Sequence, residues 1–269
     1  MQRRKFLKAT GSALLYLNSS PVFSEDLSIS DEYIKDSIAT EAGIEKDFVL
    51  DDDGYKNLKN INKKLKNLRS IVGYGNFNLL GIDEAIYFAK RYSKIGKFSK
   101  QELNFLEELF YHSASSYGFY GEKVLTNISD KIAKKETIKI PKTGHYLFKG
   151  KPVEVYEKIK KEIGENKIIL TSGVRGIIKQ TQLFTAKAVQ KKGNFSQASR
   201  SLAPPGYSYH GIGDFDIGKV GYGYRNFTAD FAKTDEYKRL MDLGYITIRY
   251  PLKNPYGVRF EPWHIKVYS

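Results

Sequence analysis

Near Ile138 the chain changes its hydrophobic period, and that change limits the folds open to it. Before it, apolar residues recur at helical spacing. In DDGYKNLKNINKKLKNLRSIV they are Leu58, Ile61, Leu65 and Leu68. In GIDEAIYFAKRYSK they are Ile82, Ala85, Ile86 and Ala89, and in SKQELNFLEELF they are Leu103, Leu106 and Phe110. Such three- and four-residue steps put one apolar stripe on each helix. Ser99 and Glu102 stand at capping-box spacing, which predicts a helix start there. The acidic run Asp51 to Asp53 before Gly54 resembles a calcium loop, but the bidentate position falls on Asn60, so it reads as a helix start.

After Ile138 the pattern is short apolar runs broken by glycine and proline. KIPKTGHYLFKGK is strand and turn. A helix is expected from about Val153 to Ile163, closed by Gly164, and KIILTSG is a buried strand. GIIKQTQLFTAKAVQKKG is helical, whereas SLAPPGYSYHGIGDFDIGKVGYGY holds too much glycine and proline for a long helix. TDEYKRLMDLG is a short helix capped by Thr234, and YITIRYP and VRFEPWHIKVY are strands. Strands and helices in mixed order predict an α+β fold with an antiparallel sheet at its core. The expected domains are a helical region over 25–140 and an α+β domain over 141–269.

Residues 1–24 read as an address instead. A charged start precedes a modest apolar stretch around Ala13 to Leu17, and small residues precede Glu25. The apolar part is too short to span a bilayer, so no stable membrane insertion is expected. Arg3 and Arg4, followed by Lys5, Phe6, Leu7 and Lys8, resemble the core of a twin-arginine export signal. The resemblance implies export of a folded protein to a periplasm-like compartment, with cleavage near Ser24.

The formal charge is +14, which admits partners such as nucleic acid or an acidic envelope polymer. The lysines are spread over helix-like stretches, as a solvated surface requires, and an export signal argues against nucleic acid. With no cysteine, disulfides and thiolate metal sites are excluded, so a transition metal would need histidine and carboxylate ligands.

Three polar motifs lie in the second half. TSGVRGIIKQ places Ser172, Arg175 and Gln180 where a strand turns into a helix. SYHGIGDFD carries Ser208, His210, Gly213, Asp214 and Asp216, and EPWH carries Glu261 and His264. Two histidines and a carboxylate form a zinc ligand set with a fourth position open to water, and a second carboxylate can take that water's proton. A nearby guanidinium can neutralise an oxyanion or hold a substrate carboxylate.

In this order the motifs resemble those of the zinc D-alanyl-D-alanine carboxypeptidase family, which includes a vancomycin-resistance type. That family belongs with the peptidoglycan metallopeptidases related to lysostaphin. Its pattern is S-G-x-R-x-x-x-x-Q, then S-x-H-x-x-G with a following Asp, then E-P-W-H; the likeness covers about residues 140–269. It implies a small antiparallel sheet flanked by helices, one zinc ion, and peptidoglycan stem peptides as substrate. It also implies His210 and His264 as ligands, Glu261 as general base and Arg175 as oxyanion or substrate contact. Ser172, Gln180 and Ser208 become candidate substrate contacts.

The family places its aspartate seven residues after the histidine, where this chain has Ile217. The candidates are Asp216, preferred as nearest to that position, and Asp214. A straight strand of six residues would span roughly 20 Å, so the chain must fold back after His210, and Gly211 and Gly213 permit that. Residues three apart on a regular strand face opposite sides, so Glu261 and His264 need an irregularity to converge; Pro262 marks one. Trp263 is expected to pack beneath the site, with Arg249 and Tyr250 as scaffold. His112 reads as structural, and His145 as a turn histidine with substrate contact as the other reading. A wall-binding module without catalysis is the rival to a peptidase, and an endopeptidase is the rival within the same chemistry.

Overall fold

The computed structural model describes residues 47–268, so the expected export signal over 1–24 and residues 25–46 lie outside it. The first helix, α1 (Asp52–Val72), starts where the acidic run predicts: the Asp51 carboxylate accepts from the Gly54 amide at 2.8 Å. Leu58, Ile61, Leu65 and Leu68 are all completely buried. Each such side chain is worth ~1.5–3 kcal/mol of hydrophobic transfer energy.

A short helix, α2 (Tyr74–Phe77), is followed by α3 (Ile82–Arg91) and α4 (Lys100–Tyr111). Helix α4 opens with the expected reciprocal cap between Ser99 and Glu102. Its buried stripe is Phe105, Leu106, Leu109 and Phe110, with Leu103 only half buried; the apolar face is wider than the three-residue stripe suggested.

A hairpin of β1 (Thr137–Lys139) and β2 (Tyr146–Phe148) leads to α5 (Lys151–Ile163). Pro152 in its first turn lacks an amide hydrogen where none is needed, and Gly164 ends it. Then come β3 (Ile168–Ser172), α6 (Ile177–Gln190), α7 (Phe195–Ser199), β4 (Phe215–Lys219), α8 (Asp235–Asp242), β5 (Thr247–Tyr250) and β6 (Glu261–Lys266). Thr234 caps α8 as expected. The last four strands form one antiparallel sheet in the order β3-β4-β6-β5, which gives the expected α+β fold.

Sheet alternation divides apolar from polar. Phe215, Ile217, Trp263 and Ile265 join Tyr156, Ile159 and Ile163 of α5 and Leu240 of α8 in one buried cluster. Asp216, between Phe215 and Ile217, therefore projects from the other face, directly across from His264.

A second buried cluster joins Leu58, Ile61, Leu65, Phe77 and Phe105 to Ile178, Phe184 and Ala188 of α6 and to Phe195 and Ala198 of α7. Residue 140 thus marks a change of element type, while the core runs across it: α6 is packed by the helices that precede the sheet. Among the described residues no helix is long and apolar enough to cross a membrane.

Candidate metal centre

Two irregularities in the sheet build the site. On β3 the pairing steps from Leu170 opposite Ile217 to Ser172 opposite Asp216, so one extra residue turns Ser172 to the polar face. Between β5 and β6 it steps from Ile248 opposite Ile265 to Tyr250 opposite Glu261, leaving two extra residues on β6 around Pro262. That bulge brings Glu261 back toward His264, and the Glu261 Oε2 to His264 Nδ1 distance is 3.4 Å.

His210 arrives on a single 3-10 turn, Tyr209–Gly211. The chain then reverses, with the Asp214 amide donating to the Tyr209 carbonyl at 3.2 Å. Gly213, at φ +132°, makes that reversal; a Cβ there would lie 2.7 Å from the Tyr268 ring.

One donor atom from each of His210, Asp216 and His264 lies within 4.8 Å of the others, and all three residues are buried. Zinc ligands at ~2.0–2.2 Å from one ion stand at such mutual spacing. His210 Nε2 and Asp216 Oδ1 are 3.2 Å apart, and neither makes a hydrogen bond. Buried polar atoms of this kind are costly unless a ligand satisfies them, and a cation between the two does so. The donor set of two imidazoles and a carboxylate fits zinc.

The outward nitrogens are already committed. His210 Nδ1 is 2.8 Å from the Gly173 carbonyl, which can only accept, so in the neutral ring Nε2 carries the lone pair toward the site. Gly173 is required there, because a Cβ would fall 2.0 Å from the Tyr146 carbonyl oxygen. His264 Nε2 is 3.2 Å from Asp214 Oδ2, which leaves Nδ1 facing Asp216 and Glu261.

Asp214 thus stands one layer behind the site. Arg249 grips it with two hydrogen bonds, at 2.7 and 3.1 Å, and also donates to the Tyr268 carbonyl. The Val267 amide adds a further donor to Asp214. Tyr250, buried, meets the His264 ring edge-on at 5.0 Å. The reading of Arg249 and Tyr250 as scaffold understated them: they hold the imidazole through direct contact and through Asp214. The available signal was an arginine in the apolar strand YITIRYP.

Charge in the site follows from these contacts. Burial lowers the His210 pKa to about 4, helped by Arg175, so the ring is neutral and able to ligate. Burial opposes the Asp216 charge, but His210 and Arg175 outweigh it and hold the carboxyl below its usual range. For His264 burial also works against charge; hydrogen bonds to Asp214 and Glu261 prevail and raise its pKa to about 9.

Arg175 bonds the Asp216 Oδ2 atom through Nη2 and the Ser172 hydroxyl through Nε. Ser172 is therefore an arginine partner and does not cap α6, whose N-cap is Gly176. Two of the five guanidinium donors are engaged in these contacts, and Arg175 lines a cleft of about 290 Å³. Ser172, Ser208, His210, Asp216, Glu261 and His264 line it too. Gln180 lies behind the wall, donating to the Ala203 carbonyl at 2.6 Å. Trp263 is 3% exposed, packed in the sheet cluster and reaching the cleft floor. His112 stacks on Tyr117 at 5.1 Å, as a structural residue would. His145 is buried against the Tyr74 hydroxyl at 3.2 Å. Tyr74 itself lines the cleft, so the helical half, which showed no recognisable chemistry in its sequence, supplies part of the wall.

Among curated proteins none matches the chain. Three similar solved structures illustrate the range. A mutant vancomycin-resistance D,D-pentapeptidase VanY from a VanB-type cassette, in complex with Zn(II), is 23% identical with a TM-score of 0.38, covering 49% of this chain and 78% of that one. The LD-carboxypeptidase LdcB is 27% identical with a TM-score of 0.38, covering 45% and 59%. The D,D-dipeptidase VanXYg, in complex with a D-Ala-D-Ala phosphinate analog, is 19% identical with a TM-score of 0.41, covering 60% and 64%. The family model of VanY, D-alanyl-D-alanine carboxypeptidase, matches residues 153–269, which hold every residue of the buried site. Over that segment the chain is similar to the VanY family of D-alanyl-D-alanine carboxypeptidases.

Proposed function

We propose that this protein is an exported zinc peptidase that hydrolyses peptidoglycan stem peptides, with the terminal D-alanyl-D-alanine bond as its target. The observation that carries the reading is the convergence of His210, Asp216 and His264, with Glu261 at 3.4 Å from His264, on the wall of one cleft. Those three residues would hold one zinc ion. When bound, zinc supplies a Lewis acid that polarises a carbonyl and makes water nucleophilic near neutral pH.

The remaining chemistry belongs to the side chains. Glu261 accepts the proton of the attacking water and returns it to the leaving amine. Arg175, anchored by Ser172 and Asp216, turns its other donors to a substrate oxygen, either the developing oxyanion or the terminal carboxylate. Ser208 offers a hydroxyl from the same wall. Asp214 and Arg249 fix the His264 ring, and a fixed ring lowers the reorganisation needed at the transition state.

Export rests on the Arg3–Arg4 motif and makes the periplasm the compartment where this substrate is met. Digestion of purified muropeptides by the wild-type protein and by Glu261→Ala, read by mass spectrometry, tests the activity. Release of one terminal alanine by the wild type alone is the expected result. Two smaller fragments in place of a lost alanine would make the protein an endopeptidase, and identical products from both proteins would remove Glu261 from the role of base.

A further inference from the structure

We propose that the cleft has a second, anion-binding arm, formed by Lys179 and Lys187, that selects peptides carrying a free side-chain carboxylate. This deepens the peptidase reading and rests on it. Lys179, Leu183 and Lys187 follow one another at four-residue steps along α6, and all three line the cleft. They form a row leading away from Arg175, which is tied to the metal end through Asp216.

The row has no internal counter-charge. Lys179 is only 4% exposed, yet the charged groups acting on it are Arg175 and Arg69, both cations. Half-buried Lys187 faces Arg259 and Lys191, again cations. Among the described residues the carboxylates on the cleft wall are Asp216 and Glu261, and both face the histidines. The Tyr74 and Phe77 rings lie 4.8 and 5.9 Å from the Lys179 ammonium, an aromatic shelf that steadies a cation without neutralising it.

Burying an ammonium among other cations is destabilising. A partner that comes with the ligand relieves that cost. Burial and those arginines lower the Lys179 pKa to about 8, so it is still mostly charged at neutral pH.

Length argues for more than one negative group. Eight residues of α-helix rise about 12 Å, and the Lys179 ammonium is held over the Tyr74 ring, so the two lysines are placed to meet separate anions. A carboxylate taken by Lys179 leaves Lys187 to a second anion, about three to four residues away along an extended peptide. A stem peptide with an unamidated acidic side chain at that separation has the required chemistry.

The test uses the zinc-loaded full chain and two synthetic pentapeptides ending in D-Ala-D-Ala. They are identical except that one acidic side chain is free or amidated. The wild type is expected to show a KM about tenfold lower for the acid form at similar kcat, the worth of one charge-assisted hydrogen bond. Lys187→Met should bring the two KM values together, and Lys187→Arg should restore the difference. Lys179→Met repeats the test at the buried position, with a thermal melt to verify folding. Equal treatment of both peptides by the wild type, or a preference that survives in both methionine variants, overturns the proposal.

If neither peptide is cut, the peptidase reading fails instead. Calorimetric binding to Glu261→Gln then decides the anion arm alone. Tighter binding of the acid form, lost on adding Lys187→Met, supports it; equal binding or none overturns it.

Discussion

The helical layer and the polar face of the sheet are equally buried and differ in how their burial is satisfied. Leu58, Ile61, Leu65 and Leu68 pack in an apolar cluster that includes one orphaned hydroxyl, on Tyr117, but gathers no set of metal-ligating groups among the described residues. His210, Asp216, His264 and Glu261 are buried as well, but the donor atoms of the first two lack hydrogen bonds. One region is held by apolar packing; the other is completed by what it binds. They meet at α6, whose Phe184 and Ala188 join the apolar cluster while Lys179 and Lys187 line the cleft. Changes in the first region should act on stability, and changes in the second on metal and catalysis.

The largest expected effect is at Glu261. Removal of a general base costs typically 10²–10⁴-fold in rate. Glu261→Gln should therefore lose about that much in kcat on D-Ala-D-Ala peptides and keep its zinc, measured by elemental analysis beside the kinetics. Loss of zinc along with activity would make Glu261 part of the ligand set. Ile61→Ala is the converse. It opens a cavity in the apolar layer and should lower stability by ~2–5 kcal/mol in urea unfolding, with kcat and zinc content per folded molecule unchanged. A drop in kcat there would mean that the helical layer tunes the site through α6.

Arg249→Met tests the layer behind the metal ligands. It leaves Asp214 without its two strongest donors and lets the His264 ring relax. Groups that orient metal ligands typically contribute 10–100-fold in affinity, so zinc binding, measured by chelator competition, should weaken by about that factor. An unchanged affinity would reduce Asp214 to a structural partner of the carboxy-terminal strand.

Legibility in the sequence followed the same divide. The stripe of α1, the box at Ser99, the cap at Thr234 and strands β3, β5 and β6 are local patterns, so period and capping chemistry disclose them, whereas β4 lay hidden in a stretch read only as too rich in glycine and proline for a long helix. The motif residues are legible too, because their chemistry is unusual for their context. What sequence could not disclose depends on register. Asp214 and Asp216 are two apart, so alternation alone does not separate them; Asp216 lies between both histidines because Asp214, just before β4, is taken up by Arg249, the Val267 amide and the far nitrogen of His264. Whether Glu261 meets His264 depends on a bulge whose size only the pairing with Tyr250 defines. The part played by Tyr74 was hidden because it enters the cleft from a helix 100 residues before the motifs begin to matter, roughly, and long-range packing leaves no local signature.

The smallest expected effect concerns His145, where the two regions touch. Its ring is buried against Tyr74 from the helical layer, at 5.3 Å between ring centres. Burial lowers its pKa to about 4, with Lys179 and Arg175 acting in the same direction and Asp216 against. The unfolded chain, at about 6.5, takes up this proton first. Stability from a neutral buried His145 is therefore whole above about pH 6.5 and is lost as pH falls toward 4. Between pH 6.5 and 5 the loss is about 2 kcal/mol at most. His145→Gln keeps a polar partner for the Tyr74 hydroxyl and cannot titrate, so its urea midpoint should fall less steeply over that interval than the wild type's. Parallel slopes would move the acid sensitivity to the other histidines that burial holds below their usual range, His210 on the polar face and His112 in the helical layer.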